Sequence, residues 1–476
     1  MSSKSGVPLP PRFPFLFPLL RHCACALLFG LTAAWSVACY AATLKAAVAK
    51  VNITPPVGLP MYGFFERLQE GKVSNGLLDP LYARVLVLGD GQKRLALITL
   101  DLGRTFGATT LDRLRRMIQA SSGISFMIIT ASHTHSGPNI VDHPESGPPS
   151  AWEQDAINKI ADAVHRASGQ LVDARIGTGY GSAYVAYNRR LVSLSGAVTM
   201  LWMNPEMRPT SPLDPTLSVL RIDDAAGKPL AILVNYACHP VIFGADNLKY
   251  SADFVGVMAN RVEQSFDGAP ICFFLQGADG DINPYYATTP MKDNAIAKRD
   301  WTGNQLGEAA ARVARTIRTE TPDQPTIQFS DDVMQVGWRW NPTILRQLLL
   351  KSYGPRIFED HADLLAFDPP PRQLQLHVTT LLLSKHIAFL GMSGEPFVEF
   401  QINWRDRCPA KDAFFLGYSN GYFDYLPTIR AASEGGYGAA DSNTYVEIGA
   451  GERMLRQALV RVYEMLGKLS DTPELN

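Results

Sequence analysis

Predicted strands and helices alternate along nearly the whole chain, and no linker-like stretch separates them after the first 42 residues. Apolar residues spaced three or four apart, as in Ala108 to Ala120, predict amphipathic helices. Short continuous apolar runs, such as Phe126 to Thr130 and Ile271 to Leu275, predict buried strands. Such alternation is typical of an α/β fold. We therefore predict one large α/β domain over residues 43–476.

Two segments share one plan, in which a glycine-containing turn joins two apolar runs of strand length. The first segment joins Tyr82 to Leu88 with Leu95 to Leu100, and the second joins Leu217 to Ile222 with Leu230 to Tyr236. Apolar runs on both sides of a short turn predict β-hairpins. Two similar hairpins in successive parts of the chain suggest a duplicated half-domain.

The N-terminus has the layout of a secretory signal peptide. Lys4, Arg12 and Arg21 precede an apolar run from Cys23 to Trp35, and small residues follow it. We therefore predict a leader over residues 1–42 and export of the protein, either to the periplasm or out of the cell. The apolar run is shorter than the roughly 20 residues that span a bilayer. Extending it to the end of the leader nearly reaches that length, so an uncleaved membrane anchor is the alternative.

Charge and cysteine content exclude two classes of protein. The formal net charge of −1 over 476 residues provides no basic field, which argues against nucleic-acid binding. After the leader, the cysteines are Cys238, Cys272 and Cys408, an odd number at wide spacing. This spacing predicts no disulfide framework, and we expect all three to be small buried apolar residues. The oligomeric state is not set by any of these features.

Polar residues cluster where three predicted strands end, which is where α/β folds usually place their sites. His133 and His135 follow the first of these strands, and histidines separated by one residue on an extended segment project to the same side. His239 follows the second hairpin, and Glu395 follows a later apolar strand. Two imidazoles and a carboxylate form the protein ligands of many catalytic zinc sites.

Each cluster also has a structural explanation that the residues alone leave open. The two histidines suit a surface loop, and a single histidine at a strand end, such as His239, is more often structural. Glu395 suits the first turn of a helix, where the helix dipole stabilises a carboxylate and where Pro396 is a favoured residue.

A series of motifs along nearly the whole body resembles the catalytic domain of the neutral/alkaline, non-lysosomal ceramidase family. The most specific of them is the string His-Thr-His-Ser-Gly-Pro within Ser132 to Pro138. The other matching pieces, in chain order, are Asn52 to Pro56, Met61 to Gly63, Asp101, Asn188-Arg189, His239-Pro240, Asp253 with Gly256, Gly280 to Pro284, Gly394-Glu395, and Tyr425 with Thr428.

The resemblance implies one zinc ion per chain and a set of residues around it. The implied zinc ligands are His133, His239, Glu395 and Tyr425. The implied catalytic residues beside the substrate carbonyl are His135, Arg189 and Tyr437. Arg190 is adjacent to Arg189, and a shift of one residue would exchange the two. The implied fold is a multi-layer mixed-sheet sandwich with flanking helices, in a single large catalytic domain.

Two departures from the family pattern bear on the activity. Asn283 stands where the ceramidases have a serine, and an asparagine amide cannot act as a nucleophile. The chain also ends soon after its last predicted helix, so we expect it to lack the family's C-terminal immunoglobulin-like domain. Both departures weaken the step from amide hydrolysis to ceramide in particular.

The resulting prediction is a zinc-dependent amidohydrolase that acts on an amphiphilic, N-acylated small molecule such as an N-acyl sphingosine. Association with a membrane surface is compatible with such a substrate. One alternative is the same zinc chemistry on a different amide or an ester. Another is a non-catalytic exported protein that binds lipid or carbohydrate.

Overall fold

The computed structural model describes residues 43–141, 149–359 and 363–469. The predicted leader at 1–42 lies outside the described residues, as do His22, His143 and His361. Within the described part of the chain, no helix combines the length and the apolar character that crossing a bilayer requires.

Strands account for much of the described chain and are numbered here in order. They are β1 (Lys45–Asn52), β2 (Gly76–Leu77), β3 (Tyr82–Gly89), β4 (Arg94–Leu100), β5 (Phe126–Ala131), β6 (Val172–Ser182), β7 (Ala186–Asn188), β8 (Arg190–Val192), β9 (Val198–Met200), β10 (Thr216–Asp224), β11 (Pro229–Tyr236), β12 (Lys249–Tyr250), β13 (Ile271–Gln276), β14 (Ile282–Pro284), β15 (Ile327–Val336), β16 (Leu374–Leu383), β17 (Ile387–Met392), β18 (Glu395–Pro396), β19 (Asp412–Leu416) and β20 (Tyr425–Leu426).

The α-helices are numbered in the same way. They are α1 (Phe65–Gln69), α2 (Ala108–Ser122), α3 (Ala151–Ser168), α4 (Asp253–Gln264), α5 (Ala295–Thr316), α6 (Pro342–Tyr353), α7 (Val398–Arg407), α8 (Ile429–Glu434) and α9 (Ala450–Met465). A short 3₁₀ segment, Pro355–Glu359, follows α6.

The largest sheet has eight strands in the order β13-β11-β10-β6-β1-β3-β4-β5. On one side of its centre, the hairpin β3–β4 is followed by α2 and by β5, which pairs in parallel with β4. On the other side, the hairpin β10–β11 is followed by α4 and by β13, which pairs in parallel with β11. The two halves of the sheet therefore repeat one connection, as the paired hairpins in the sequence suggest.

A second sheet, in the order β15-β16-β17-β19, packs face to face on the first. Leucine and phenylalanine side chains from both sheets fill the interface. Every second residue of a strand points to the same face of its sheet, so one face of each sheet can pack against the other sheet. Helices α2 to α5 cover the outer face of the large sheet, and α6, α7 and α9 cover the outer face of the small one. The predicted mixed-sheet sandwich with flanking helices is confirmed.

Candidate metal centre and its pocket

The candidate site lies where strands of both sheets end. The chain leaves β5 toward His133, leaves β11 toward His239, and leaves β17 toward Glu395. Each of these strands runs parallel to a neighbour, so the loops at their carboxyl ends open at one edge of the sandwich. The side chains of all three residues are almost completely buried.

His133 does not have the backbone conformation that we expected from the sequence. Its φ is 70°, in the left-handed region, so the segment with His135 is not an extended strand. The two imidazoles nevertheless lie side by side, because their Nε2 atoms are 3.1 Å apart. The backbone turn at His133, rather than strand alternation, brings the two rings together.

The imidazoles of His133 and His239 are oriented in the same way. The Nδ1 of His133 donates to the carbonyl of Gly103 at 2.6 Å, and the Nδ1 of His239 donates to the carbonyl of Asp279 at 2.6 Å. Donation through Nδ1 leaves each Nε2 as a lone-pair donor facing the site, which is the arrangement of metal-binding histidines. Burial lowers the pKa of His133 to about 3, which keeps its ring neutral at neutral pH.

Glu395 lies between the two imidazoles. One carboxylate oxygen is 3.6 Å from Nε2 of His133, and the other is 3.3 Å from Nε2 of His239. The Tyr422 hydroxyl donates to the first oxygen at 2.6 Å, and the Tyr62 hydroxyl in turn bonds to Tyr422 at 2.8 Å. Burial favours a raised pKa for this carboxyl, but the two imidazoles and Tyr422 outweigh it and hold the pKa below its ordinary value.

These distances are consistent with a zinc ion. Ligands that bind zinc at about 2.0–2.2 Å in tetrahedral geometry lie about 3.3–3.6 Å from one another. The Nε2 of His239 and one oxygen of Glu395 are buried and make no hydrogen bond, although they lie 3.3 Å apart. Buried polar atoms rarely lack a partner, and a cation shared between these two atoms would satisfy both of them.

His135 completes a group of three histidines. One ring nitrogen from each of His133, His135 and His239 lies within 4.8 Å of the others. The geometry of the rings therefore permits His135 either as a third imidazole ligand or as a group beside the metal. The Arg67 guanidinium donates a hydrogen bond to the backbone carbonyl of His135 at 2.7 Å, which holds the loop after β5 in place.

Arg189, Tyr425 and Tyr437 form a second cluster against the first. The Arg189 guanidinium donates to the Tyr425 hydroxyl at 3.0 Å and lies 5.1 Å from the ring centre of Tyr437. Tyr425 pairs with Glu395 in the short ladder of β18 and β20, which sets the phenol next to the carboxylate. Burial raises the pKa of Tyr425 well above its ordinary value, and that of Tyr437 to about 12.

The position of Arg190 resolves the ambiguity between the two adjacent arginines. Its guanidinium donates to the backbone carbonyls of Ala431 and Gly435 and pairs with Glu434 at 3.3 Å. These groups belong to α8 and the loop after it, outside the cluster that surrounds Glu395. Arg189 is therefore the arginine at the candidate site.

A pocket with a cavity volume of about 520 Å³ opens onto these residues. One of its walls is apolar and aromatic, and its members are Phe64, Phe65, Tyr353 and Ile357. Other lining residues are polar, and they include Thr288, Asp441, Ser442 and Asn443. His135, Arg189, His239, Tyr425, Tyr437 and Asn283 line the interior.

Sequence reasoning missed several residues that build this site. Tyr422 and Tyr62 were not assigned a role, although their hydroxyl groups form the chain that reaches Glu395. Tyr418 was also missed, and its ring stacks on His133 with ring centres 4.2 Å apart. In the sequence these tyrosines stand among many aromatic residues, so their spacing carries no signal that separates them from core residues.

The remaining predicted residues have structural surroundings. Asp101 forms a buried ion pair with Arg84 at 2.7 Å, and Asp253 accepts a hydrogen bond from the backbone at the start of α4. His165 and His386 are exposed, and His377 pairs with Asp331, so these three histidines lie outside the site. The cysteines are free, but Cys408 is only partly buried, so the expectation of three buried cysteines is wrong for this one.

The fold and the buried cluster together define a hydrolase-like site with a candidate metal centre. The family model described as neutral/alkaline non-lysosomal ceramidase, N-terminal, matches residues 45–305. This span contains His133, His135, Arg189 and His239. The match covers more than half of the chain.

Two solved structures have a similar fold. The neutral ceramidase from Pseudomonas aeruginosa is similar with a TM-score of 0.70 and 18% sequence identity, over 91% of this chain and 76% of that one. A structure described as a ceramidase complexed with C2 is similar with a TM-score of 0.70 and 18% identity, over 91% and 77% of the two chains.

The chain belongs to the neutral/alkaline non-lysosomal ceramidase family. Membership in this family makes it a hydrolase.

Proposed function

We propose that the protein is a zinc-dependent amidohydrolase that cleaves the carboxamide of an N-acylated lipid of the N-acyl sphingosine type. The observation that carries the proposal is the meeting of His133, His239 and Glu395 at distances suited to one zinc ion. The buried, unpartnered ring nitrogen of His239 and the unpartnered oxygen of Glu395 support the same conclusion.

In this proposal His133, His239, Glu395 and Tyr425 hold the zinc ion. When bound, zinc supplies Lewis acidity that lowers the pKa of a water molecule and polarises a carbonyl group. The carbonyls of Gly103 and Asp279 fix the tautomers of the two histidines, so both Nε2 atoms remain available as ligands. Water is the proposed nucleophile, since the amide of Asn283 cannot attack a carbonyl carbon.

The cluster that contains Arg189 and Tyr437 is proposed to stabilise the negative charge that develops on the substrate's carbonyl oxygen. Arg189 and Tyr437 line the pocket beside the candidate ligands, so they are positioned to stabilise a negative carbonyl oxygen. His135 is 3.1 Å from His133 and is the proposed group that delivers a proton to the departing amine. Loss of one such stabilising group typically lowers the rate by about 100- to 1,000-fold.

The lining of the pocket supports an amphiphilic substrate. Phe65, Tyr353 and Ile357 offer an apolar wall to an acyl or alkyl chain, while Ser442 and Asn443 offer polar groups to a hydroxylated head. The similar solved ceramidase described as complexed with C2 is consistent with a small lipid amide in such a pocket. We extend the proposal to contact with the lipid surface from which such a substrate would be taken.

The test is hydrolysis of a panel of amides by the purified protein. Ceramides with acyl chains of different lengths are compared with short acyl amides, N-acyl amino acids and esters, before and after chelation and again after zinc is restored. The proposal predicts turnover of N-acyl sphingosines that is lost on chelation and regained with zinc. Undiminished turnover by protein shown to be free of metal would contradict it.

The same panel separates the closest alternative. A preference for N-acyl amino acids or for esters would retain the zinc chemistry and replace the substrate. A protein that binds these lipids but hydrolyses none of them would be a binding protein. The exported location stays a prediction, and sequencing of the mature N-terminus decides between a cleaved leader and a membrane anchor.

A further inference from the structure

The Arg189 guanidinium is buried, and no carboxylate among the described residues lies within ion-pair distance of it. It donates to the carbonyl of Gly280, the hydroxyl of Tyr425 and the side-chain oxygen of Asn283. Two of these acceptors, the carbonyl of Gly280 and the amide oxygen of Asn283, carry no charge. Burying an unpaired charge is unfavourable, so a guanidinium held in this way keeps its positive charge available for a ligand.

Asn283 makes the hydrogen bond that fixes the orientation of the Arg189 guanidinium plane. One terminal nitrogen of Arg189 donates to Gly280 at 2.7 Å and to Tyr425 at 3.0 Å. The other terminal nitrogen donates to Oδ1 of Asn283 at 3.3 Å, and no second acceptor for it occurs in the described part of the chain. Without Asn283 the guanidinium would be hydrogen-bonded at one end only, and its other contacts would be with aromatic rings, which fix its rotation less strictly.

The backbone builds this contact into the fold. Asn283 pairs with Tyr187 in the ladder of β14 and β7, and the backbone N–H of Arg189 donates to Asp281 at 2.9 Å. Asn283 therefore lies on a short two-stranded ribbon, and Arg189 directly follows its other strand. Both side chains are buried and both line the pocket.

We propose that Asn283 is a positioning residue that fixes the orientation of Arg189 through an acceptor that carries no charge. An aspartate at this position would also accept the hydrogen bond, but its charge would neutralise the guanidinium that the substrate oxygen needs. The inference rests on the proposed function, because Arg189 is there the group that stabilises the carbonyl oxygen.

The test is a double-mutant cycle between Asn283→Ala and Arg189→Ala, with kcat and KM measured on the best substrate of the panel. Asn283→Ala is expected to lower kcat about 10-fold with little change in KM, since misorientation removes part of what one stabilising group contributes. In the Arg189→Ala background the same change is expected to have no further effect. Fully additive losses would overturn the proposal.

Asn283→Asp separates positioning from simple packing, because it keeps the size and the hydrogen bond. It is expected to lower kcat more than Asn283→Ala does, and activity equal to that of the unchanged protein would overturn the role of the neutral acceptor. Asn158→Ala, on the exposed face of α3, is the matched control and keeps full activity. Thermal unfolding of each variant shows that it is folded.

A second readout does not depend on turnover. Calorimetric binding of a fatty-acid carboxylate, the product of amide cleavage, is expected to weaken in Asn283→Ala and to weaken further in Asn283→Asp. Unchanged carboxylate affinity in both variants would overturn the proposal even if the protein hydrolysed none of the amides. An inactive protein whose carboxylate affinity follows this order would reject the proposed function and retain the inference.

Discussion

His133 has a backbone conformation that is uncommon for residues other than glycine. Its φ of 70° costs on the order of 1–3 kcal/mol, a strain that the surrounding structure has to hold. The backbone N–H of His133 donates to Leu102, and its ring stacks on Tyr418, so the conformation is fixed from two sides. Strain of this kind is concentrated at functional sites, in agreement with a ligand role for this residue.

Gly63 determines where the His135 ring lies. Its φ is +101°, and a Cβ atom there would come within 2.4 Å of the ring. Gly63→Ala is expected to displace His135, so that kcat falls while the zinc content is retained, and to destabilise the protein by about 1 kcal/mol or more. The measurements are steady-state kinetics, metal analysis and denaturant unfolding.

Gly58 is the matched control for this substitution. Its φ is +104°, but a Cβ atom there would meet nothing within 4 Å. Gly58→Ala therefore introduces the same backbone strain as Gly63→Ala but makes no contact with His135. The Gly58→Ala protein should keep full activity. Equal losses of kcat in both variants would assign the effect to the backbone and not to the histidine ring.

Asp253 makes the stability of the fold depend on pH. Burial raises the pKa of its carboxyl to about 7, from an ordinary value of 3.8. Between these values the folded protein retains a proton that the unfolded chain has released, so this group's contribution to the free energy of unfolding falls as pH rises from about 4 to 7. Each unit of difference in pKa corresponds to about 1.4 kcal/mol.

Asp253→Asn removes the titrating carboxyl group. Asparagine tolerates the positive φ of 54° at this position, so the backbone need not change. The variant loses one acceptor, which shifts its stability by a similar amount at every pH. We expect its free energy of unfolding to fall less between pH 5 and pH 8 than that of the unchanged protein, by urea unfolding at both values. Parallel pH profiles for the two proteins would contradict this assignment.

Part of the site could be predicted from residues alone. His133, His239 and Glu395 were found because polar residues that follow apolar strands meet at one edge of an α/β sheet. Arg189, Tyr425 and Tyr437 were found only through the resemblance to the family, since each follows no such pattern. Their positions depend on short ladders and loops, which periodicity does not encode.

At the scale of elements, helix α3 begins with a complete capping box. The Ser150 side chain accepts from the backbone N–H of Glu153, whose carboxylate accepts from the backbone N–H of Ser150. Ser150→Ala is expected to lower the free energy of unfolding by about 1 kcal/mol, because one backbone donor at the helix start loses its acceptor. Denaturant unfolding measures the change.

Ser168→Ala is the control at the other end of the same helix, where the hydroxyl only donates to a carbonyl already at the helix terminus. It should change stability by a few tenths of a kcal/mol at most, as surface substitutions usually do. A loss as large as that of Ser150→Ala would mean that the capping box is not the cause.

The elements that the sequence predicted are those with a continuous apolar pattern, such as β5, β13 and the two hairpins. The sequence did not predict β6, whose run from Val172 to Ser182 contains three glycines. Those at Gly179 and Gly181 lie against Val313 of α5, so closely that a Cβ atom would come within about 3 Å of its side chain. The close packing of α5 on this strand explains these glycines. Such packing cannot be recognised from the local sequence pattern, so the strand was not predicted.

At the scale of the whole molecule, the site requires both sheets. The two halves of the large sheet, which have the same strand connection, supply His133 and His239, and the small sheet supplies Glu395. The α/β class followed from the alternation of patterns along the chain. The stacking of the two sheets could not be predicted in this way, because it depends on contacts between residues far apart in the chain, such as Asn235 and Phe415, which are 180 positions apart.

The central claim is that four distant side chains share one zinc ion while His135 does not bind it. Zinc bound per folded chain, measured by elemental mass spectrometry, tests this claim most directly. We expect about one zinc in the unchanged protein and in His135→Ala, and almost none in His133→Ala, His239→Ala or Glu395→Gln. Loss of zinc in His135→Ala would make this histidine a ligand, and full zinc in His133→Ala would contradict the account.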